Sequence, residues 1–248
     1  MELKVIAYAR NGHTDKFGIP RQSREESPIL TRIVFEPEYN VAEALRGIEG
    51  YSHLWLIWGF SEVDTWSPTV RPPRLGGNKR MGVFATRSPF RPNPIGLSSV
   101  RLVGIEHGEL IVSGADVLDG TPIYDIKPYL SFSDSHPEAK NGFAEETKDY
   151  QLEVDWRLAE GVECVCDGLV NAECPTNHPV ITHLSPTNHP LPADKKKEIE
   201  YILSQDPRPA YQDDPKREYK MDYSGYTVTF VVENRRVVVK KVEPERDL

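Results

Sequence analysis

At 248 residues and 38% hydrophobic content, the chain can bury a proper core, as one large β domain or two smaller units. A formal net charge of −8 excludes indiscriminate binding to DNA, because neutralising phosphates takes clustered Lys and Arg. No apolar run approaches the roughly 20 residues of a membrane span, and the start, MELKVIAYARNG, has neither an apolar leader nor a small-residue cleavage site, so a cytoplasmic protein without membrane contact is expected.

In chain order, Glu2–Tyr8 and Ile29–Phe35 read as short strands. Asn40, with Glu43 three residues on, predicts the cap of a short helix ending near Gly47. His53–Phe60, HLWLIWGF, is apolar on both faces and aromatic, which predicts a buried strand. Met81–Thr86, Gly96–Ile105, Glu109–Ala115 and Ile123–Tyr129 are further strands, and Leu152, Val154, Trp156 and Leu158 alternate with charged residues as a half-buried one. Residues 133–150 are polar, and 171–193 are rich in Pro, Asn, Thr and His, with the near-repeat PTNHP; both read as loop or linker. Asp194 is placed to cap a helix through Lys195–Ser204, and Tyr226–Val232 with Arg236–Val242, joined around Asn234, form a hairpin. The pattern predicts a mainly β protein: a closed or sandwich-like β domain over 1–157, a loop-rich connection over 158–193 and a small C-terminal α+β domain over 194–248.

The stretch Gly82–Gly96, GVFATRSPFRPNPIG, sets Arg87, Arg91 and Asn93 among Pro89, Pro92 and Pro94. Proline locks φ and removes an N–H, so this run is expected to be a stiff, mostly polyproline-II connection presenting its guanidinium groups with little left to order on binding. That suits a carboxylate-bearing or planar anionic ligand; the alternative is a surface loop with solvated arginines. Between Asp64 and Glu106 no acidic residue occurs, while Arg71, Arg74, Lys79, Arg80, Arg87, Arg91 and Arg101 supply seven positive charges, leaving −15 on the remainder. A focused positive patch on a repelling body fits a specific anionic substrate.

A second segment, Asp119–Tyr129, begins with the turn Asp119-Gly120-Thr121-Pro122. In an extended continuation Ile123, Asp125, Lys127 and Tyr129 share one face. A carboxylate, an ammonium and a phenol in a row can form a site, or equally a solvated sheet face with a cross-linking ion pair. Asp206–Tyr211, DPRPAY, again holds an arginine, Arg208, between prolines. The glycine-rich signatures of dinucleotide and nucleoside triphosphate sites are missing. Cys164, Cys166, Cys174 and His178 do not have a standard zinc spacing, and three cysteines in one segment are no disulfide framework; no metal is expected.

Taken together, PRQ at 20–22, SHLW at 52–55, RPPRLGG at 71–77, the Gly82–Gly96 run, LDGTPIYDIKPY at 118–129 and DPRPAY at 206–211 resemble the TrmO family (TsaA-like proteins) of S-adenosylmethionine-dependent tRNA methyltransferases, across both expected domains. The resemblance implies a non-Rossmann antiparallel β-barrel that binds the cofactor, a homodimer and a small C-terminal domain. It also implies N6-methylation of N6-threonylcarbamoyladenosine at position 37, in the anticodon loop of a threonine tRNA. Cofactor contacts carried over fall on Pro20, Arg21 and Gln22, on Arg87, on Leu97, and on Asp119, Gly120, Thr121 and Pro122. Ser61 and Glu62 stand where bacterial relatives have His-Gln, which leaves a backbone contact there and removes a side-chain one.

The modified base already bears a carboxylate, so a fixed cation and a phosphate patch are needed. Arg71, Arg74, Arg80, Arg91, Asn93, Lys127 and Arg208 are the substrate-binding candidates. Methyl transfer is an in-line displacement served by positioning and exclusion of water, and a ureido-type nitrogen is a poor nucleophile that gains from a proton acceptor. Asp125, Tyr129 and Tyr211 are catalytic candidates by side-chain type. A tRNA-binding module that has lost catalysis, and a methyltransferase with another acceptor, are the rival readings.

Overall fold

The structure is a computed structural model that describes residues 2–15, 18–20, 22–72, 75, 79–157, 159, 191–208 and 214–245. Its first half holds β1 (Ala7–Arg10), β2 (Leu30–Phe35), β3 (His53–Gly59), β4 (Thr69–Val70), β5 (Met81–Gly82), β6 (Ile95–Glu106), β7 (Glu109–Ser113) and β8 (Pro122–Pro128). Six of these close into a barrel in the order β1-β2-β7-β6-β3-β8, with β8 antiparallel to β1. Closure leaves no strand edge unpaired. The pair β4–β5 stands outside as a two-stranded ribbon.

Alternation along each strand fills the barrel. Leu54, Leu56 and Trp58 of β3 join Ile33, Val100, Leu110, Val112 and Ile123 in one buried cluster. Gly96 opposes Trp58 across the β3–β6 ladder, and a Cβ there would lie 2.2 Å from the indole; glycine is required for the ring to lie flat on β6. The reading of β3 as buried on both faces needs refining. Leu54, Leu56 and Trp58 point inward, while His53, Trp55 and Ile57 are half-buried on the outer wall.

The second half adds α1 (Ser131–Asp134), β9 (Glu153–Asp155), α2 (Ala193–Ser204), β10 (Tyr219–Tyr223), β11 (Tyr226–Glu233) and β12 (Arg236–Pro244), the strands forming a sheet in the order β10-β11-β12-β9. Ile199, Ile202 and Leu203 of α2 bury against Met221, Tyr223, Val228, Phe230, Val237 and Val239. The β11–β12 turn has Asn234 and Arg235 at φ of 48° and 63°, the left-handed pair of a tight hairpin turn. No helix among the described residues is long and apolar enough to cross a membrane.

Several expectations shift. The first strand spans Ala7–Arg10 and not Glu2–Tyr8. The helix expected after Asn40 is two 3₁₀ turns, Ala42–Leu45 and Ile48–Gly50, with no side-chain cap. Past Gly82 the strand gives way to a 3₁₀ turn, Val83–Ala85, so the start of the proline-rich run is helical and not extended. Helix α2 begins after Pro192 with no side-chain cap, and Asp194 lies in its first turn. Strand β10, Tyr219–Tyr223, has no counterpart among the expected elements.

The alternating segment at 152–158 belongs to the C-terminal sheet. Its strand β9 runs parallel to β12, pairing Glu153 with Arg236, and Leu152 is part of that core; Leu158 lies outside the described residues. Ile29, just before β2, joins the same core. Gly12 O accepts from Ser224 N at 2.9 Å, and the His13 ring lies 5.3 Å from that of Tyr223. The two halves are therefore packed on each other.

Candidate active site

The outer wall of the barrel is built by register. Across the β3–β6 ladder His53 faces Arg101, Trp55 faces Ser99 and Ile57 faces Leu97, and period two sends each of these pairs outward. On the other side of β3, Lys127 lies opposite Trp55. Tyr129 follows β8, its amide donating to His53 O at 3.0 Å. Over this wall lies a cavity of about 460 Å³, bounded by His53, Trp55, Leu97, Ser99, Arg101 and Tyr129 below and closed by Ser23–Glu25, Arg87, Ser113 and Asp134. Its size suits a nucleoside-sized ligand.

The floor is aromatic. Tyr129 packs 5.4 Å from Trp55 and 6.1 Å from His53, ring centre to ring centre. Trp55 Nε1 donates to Asp134 Oδ2 at 2.8 Å, and Leu130 N donates to the same oxygen at 3.0 Å. Those two bonds, the backbone one first, hold the Asp134 carboxyl below its ordinary range, so a charged acceptor fixes the indole. Ser52 Oγ lies 2.9 Å from His53 Nδ1.

The rim is cationic. Arg24 donates to Lys148 O at 2.8 Å, and Arg87 Nη1 donates to Gln22 Oε1 at 2.6 Å. Ser23 Oγ donates to Ser99 O, which ties this segment to the barrel wall. Behind it lies Asp116, whose carboxyl is pushed up by burial against the opposing pull of Ser98, of backbone amides and of Arg87.

Of the residues singled out in the sequence, Arg87, Leu97 and Tyr129 line this groove, Gln22 joins it through Arg87, and buried Pro20 lies in the same segment. Arg21, Arg74 and Tyr211 lie outside the described residues. The expected common face of β8 is broken. A bulge between the pairs Ile57–Asp125 and Trp58–Ile123 turns Ile123 into the core while Asp125 stays outside. Asp125 there forms a half-exposed ion pair with Lys127 at 2.8 Å and accepts from Ile126 N. Neither lines the groove.

The turn Asp119–Pro122 sits at the end of β1. Asp119 accepts from Asn11 N at 3.0 Å and pairs with Arg10 at 3.4 Å, Gly120 takes φ 76° and donates to Ala9 O, buried Thr121 accepts from Ala9 N, and Pro122 faces Tyr8. Ser61 and Glu62 form an exposed turn after β3. Arg91 donates to Val83 O at 3.1 Å and Thr86 O at 2.7 Å, lying over the Phe84 ring, so its guanidinium braces the proline-rich loop. Asn93 is exposed and its carbonyl accepts from Ile95 N; Arg71 and Arg80 are exposed, the latter bonded to Thr69 Oγ1 at 2.9 Å. Arg208 grips Asp206 with two bonds, 2.8 and 3.0 Å, in a largely buried pair that Tyr150 Oη joins. Among the described residues no cluster of three or more His, Cys, Asp or Glu is arranged to hold a metal; Cys164–His178 lies outside them.

Sequence reasoning did not assign His53, Trp55, Ser23–Glu25, Asp116 or Asp134. The available signal was β3 itself: once Leu54, Leu56 and Trp58 account for the core, the outward aromatic row needs a second cover.

Comparison with known proteins shows the family. Residues 8–135 match the family model described as tRNA-methyltransferase O N-terminal domain, and residues 181–245 match the TrmO C-terminal domain. The chain is 44% identical over 197 residues to the tRNA (adenine(37)-N6)-methyltransferase of Eikenella corrodens, covering 77% of this chain and 97% of that one. It is 39% identical over 217 residues to the enzyme of the same name from Escherichia coli K12, covering 85% and 83%. The crystal structure of TrmO from Pseudomonas aeruginosa superposes with a TM-score of 0.70 at 29% identity, over 98% of each chain. A barrel with a groove on its outer wall, followed by a small α+β unit and carrying both domain signatures, belongs to the TrmO family.

Proposed function

We propose that this protein is an S-adenosylmethionine-dependent methyltransferase that methylates N6 of N6-threonylcarbamoyladenosine at position 37 of a threonine tRNA, acting in the cytoplasm as a homodimer. The observation that carries the reading is the groove, which sets an aromatic floor beneath a rim of arginines in a chain with both domains of the family.

The residues present fit the cofactor. Trp55 and Tyr129 offer faces on which an adenine stacks, and Ser113 Oγ is buried in the wall with no hydrogen-bond partner among the described residues, a group that gains from a polar ligand. Pro20, Arg21, Gln22, Arg87, Leu97 and Asp119–Pro122 are the residues assigned to hold it, with Ser61 and Glu62 contributing backbone only. When bound, the cofactor supplies an electrophilic methyl group on a sulfonium.

The protein's own part is placement. An arginine fork of the groove, Arg24 on the rim or Arg101 on the wall, pairs with the threonyl carboxylate in two parallel bonds. Arg71, Arg74 and Arg80 meet the loop phosphates from a stretch without acidic residues, and Lys127, paired with Asp125, is the further phosphate contact. Closing the groove with RNA excludes water from the reacting atoms. The proton leaving N6 needs an acceptor, and of Asp125 and Tyr129, the candidates among the described residues, the one lining the groove is Tyr129; Tyr211 lies outside them.

The test is nucleoside mass spectrometry of tRNA from a strain lacking the gene, before and after complementation, with methylation of purified tRNA by the pure protein. Loss of the N6-methyl form and accumulation of its threonylcarbamoyl precursor is expected. An unchanged nucleoside profile with intact cofactor binding points to a different acceptor, and absence of cofactor binding points to a non-catalytic module.

A further inference from the structure

Strand register sets a row of three side chains across the outer wall. On β6, Arg101 pairs with His53 of β3 on one side and with Ser113 of β7 on the other. Leu110 and Val112 of β7 belong to the barrel core, so the two-residue period turns Ser113 outward with the other two. All three line the groove. His53 and Ser113 are two interstrand spacings apart, roughly 10 Å, and the aromatic floor meets the row at its His53 end, where the Tyr129 ring lies 6.1 Å away.

At the opposite end two donors are unmatched. Ser113 is 1% exposed, and its Oγ has no hydrogen-bond partner among the described residues. A buried hydroxyl in that condition destabilises the fold until something pairs with it. Arg101 likewise makes no hydrogen bond or ion pair with any described residue. The other two arginines of the lining are engaged, Arg24 with Lys148 O at 2.8 Å and Arg87 with Gln22 Oε1 at 2.6 Å. So are its carboxylates. Asp134 accepts from Trp55 Nε1 and Leu130 N, and Glu25 Oε1 lies 3.9 Å from His53 Nε2. A guanidinium and a hydroxyl on neighbouring strands thus form a donor pair without an acceptor. One group answers both: a carboxylate, which takes the arginine fork on one side and the serine O–H on the other.

We propose that Arg101 and Ser113 form a carboxylate subsite of the groove, taking the carboxylate of an amino acid attached to an adenosine whose base lies on the floor of Trp55 and Tyr129. The inference rests on the methyltransferase reading for the identity of that adenosine. Both reactants of that reading carry such a group, the cofactor on its methionyl end and the substrate on its threonyl arm, and the subsite asks the same chemistry of either.

The experiment compares Arg101→Gln and Ser113→Ala with the wild type. Calorimetry gives the affinity for S-adenosylhomocysteine, which has the carboxylate, and for methylthioadenosine, which lacks it. Filter binding gives the affinity for threonine tRNA with and without the threonylcarbamoyl group. Arg101→Gln is expected to weaken one carboxylate-bearing ligand about tenfold to a hundredfold and Ser113→Ala the same ligand about tenfold, with its carboxylate-free counterpart unchanged. A loss confined to S-adenosylhomocysteine identifies the cofactor as the source, and a loss confined to threonylcarbamoylated tRNA identifies the substrate. Ser113→Ala is also expected to melt no lower than the wild type, because it removes a buried hydroxyl that has no partner. A lower midpoint for that variant overturns the subsite, since the hydroxyl is then bonded within the protein. Equal weakening of both tRNAs overturns it too, by making Arg101 a phosphate contact, and so do wild-type affinities for all four ligands in folded variants. If the wild type itself binds neither S-adenosylhomocysteine nor tRNA, the methyltransferase reading fails and the subsite with it.

Discussion

Replacing Arg87 by alanine separates binding from folding. The side chain is exposed, and its guanidinium donates to Gln22 Oε1 at 2.6 Å and lies in the field of Asp116. It covers no core residue, so its loss costs the fold little, within the small range of surface substitutions. Its loss from a groove that takes an anionic or dipolar ligand removes one charge-assisted hydrogen bond, about 1.5–3 kcal/mol, or roughly tenfold to a hundredfold in kcat/KM. The assay is single-turnover methylation of purified tRNA alongside calorimetric cofactor binding, with the thermal midpoint as control. Arg87→Lys is expected to recover little, because a point charge does not reproduce the guanidinium fork. Wild-type kinetics in a folded Arg87→Ala protein refutes the argument and assigns the residue to the architecture of the loop.

Three further outcomes are expected. His13 is fully buried against Tyr223, and burial lowers its pKa from 6.5 to about 4; a depressed pKa means stability present above pH 6.5 and lost progressively down to about pH 4, about 3 kcal/mol in all. The denaturation midpoint of the wild type should follow that slope and that of His13→Phe should not; equal slopes refute the assignment. A chain cut after residue 160 leaves β9 without β12 and uncovers Ile29, Leu152 and His13, so it should melt well below the full chain and methylate no tRNA, whereas an unchanged midpoint shows that the barrel does not depend on the second unit. Activity should survive exhaustive chelation, since Cys164, Cys166, Cys174 and His178 lack a standard zinc spacing; a loss restored by zinc would return attention to them.

What the sequence determined by itself was local. Short apolar runs marked β2, β3, β6 and β7, and period-two alternation marked the strand at 152–158, because side-chain direction in a strand depends only on neighbouring residues. Asn234 marked the β11–β12 turn because few residues accept left-handed backbone, and the proline-bracketed arginines marked a loop that touches the groove. Long motifs carried the family, and with it the barrel. The tertiary structure decided which strand pairs with which. Nothing near Glu153 says that its partner is Arg236, 83 residues away, so β9 read as part of the barrel until the sheet claimed it. The bulge in β8, which sends Ile123 inward and leaves Asp125 outside, is set by register against β3 and has no signature of its own. The same holds for the groove. Trp55, Arg87, Ser23 and the pair Tyr129 and Asp134 come from four separate stretches, and only barrel closure brings them together, because the hydrogen bonds that fix strand order join residues far apart in the chain.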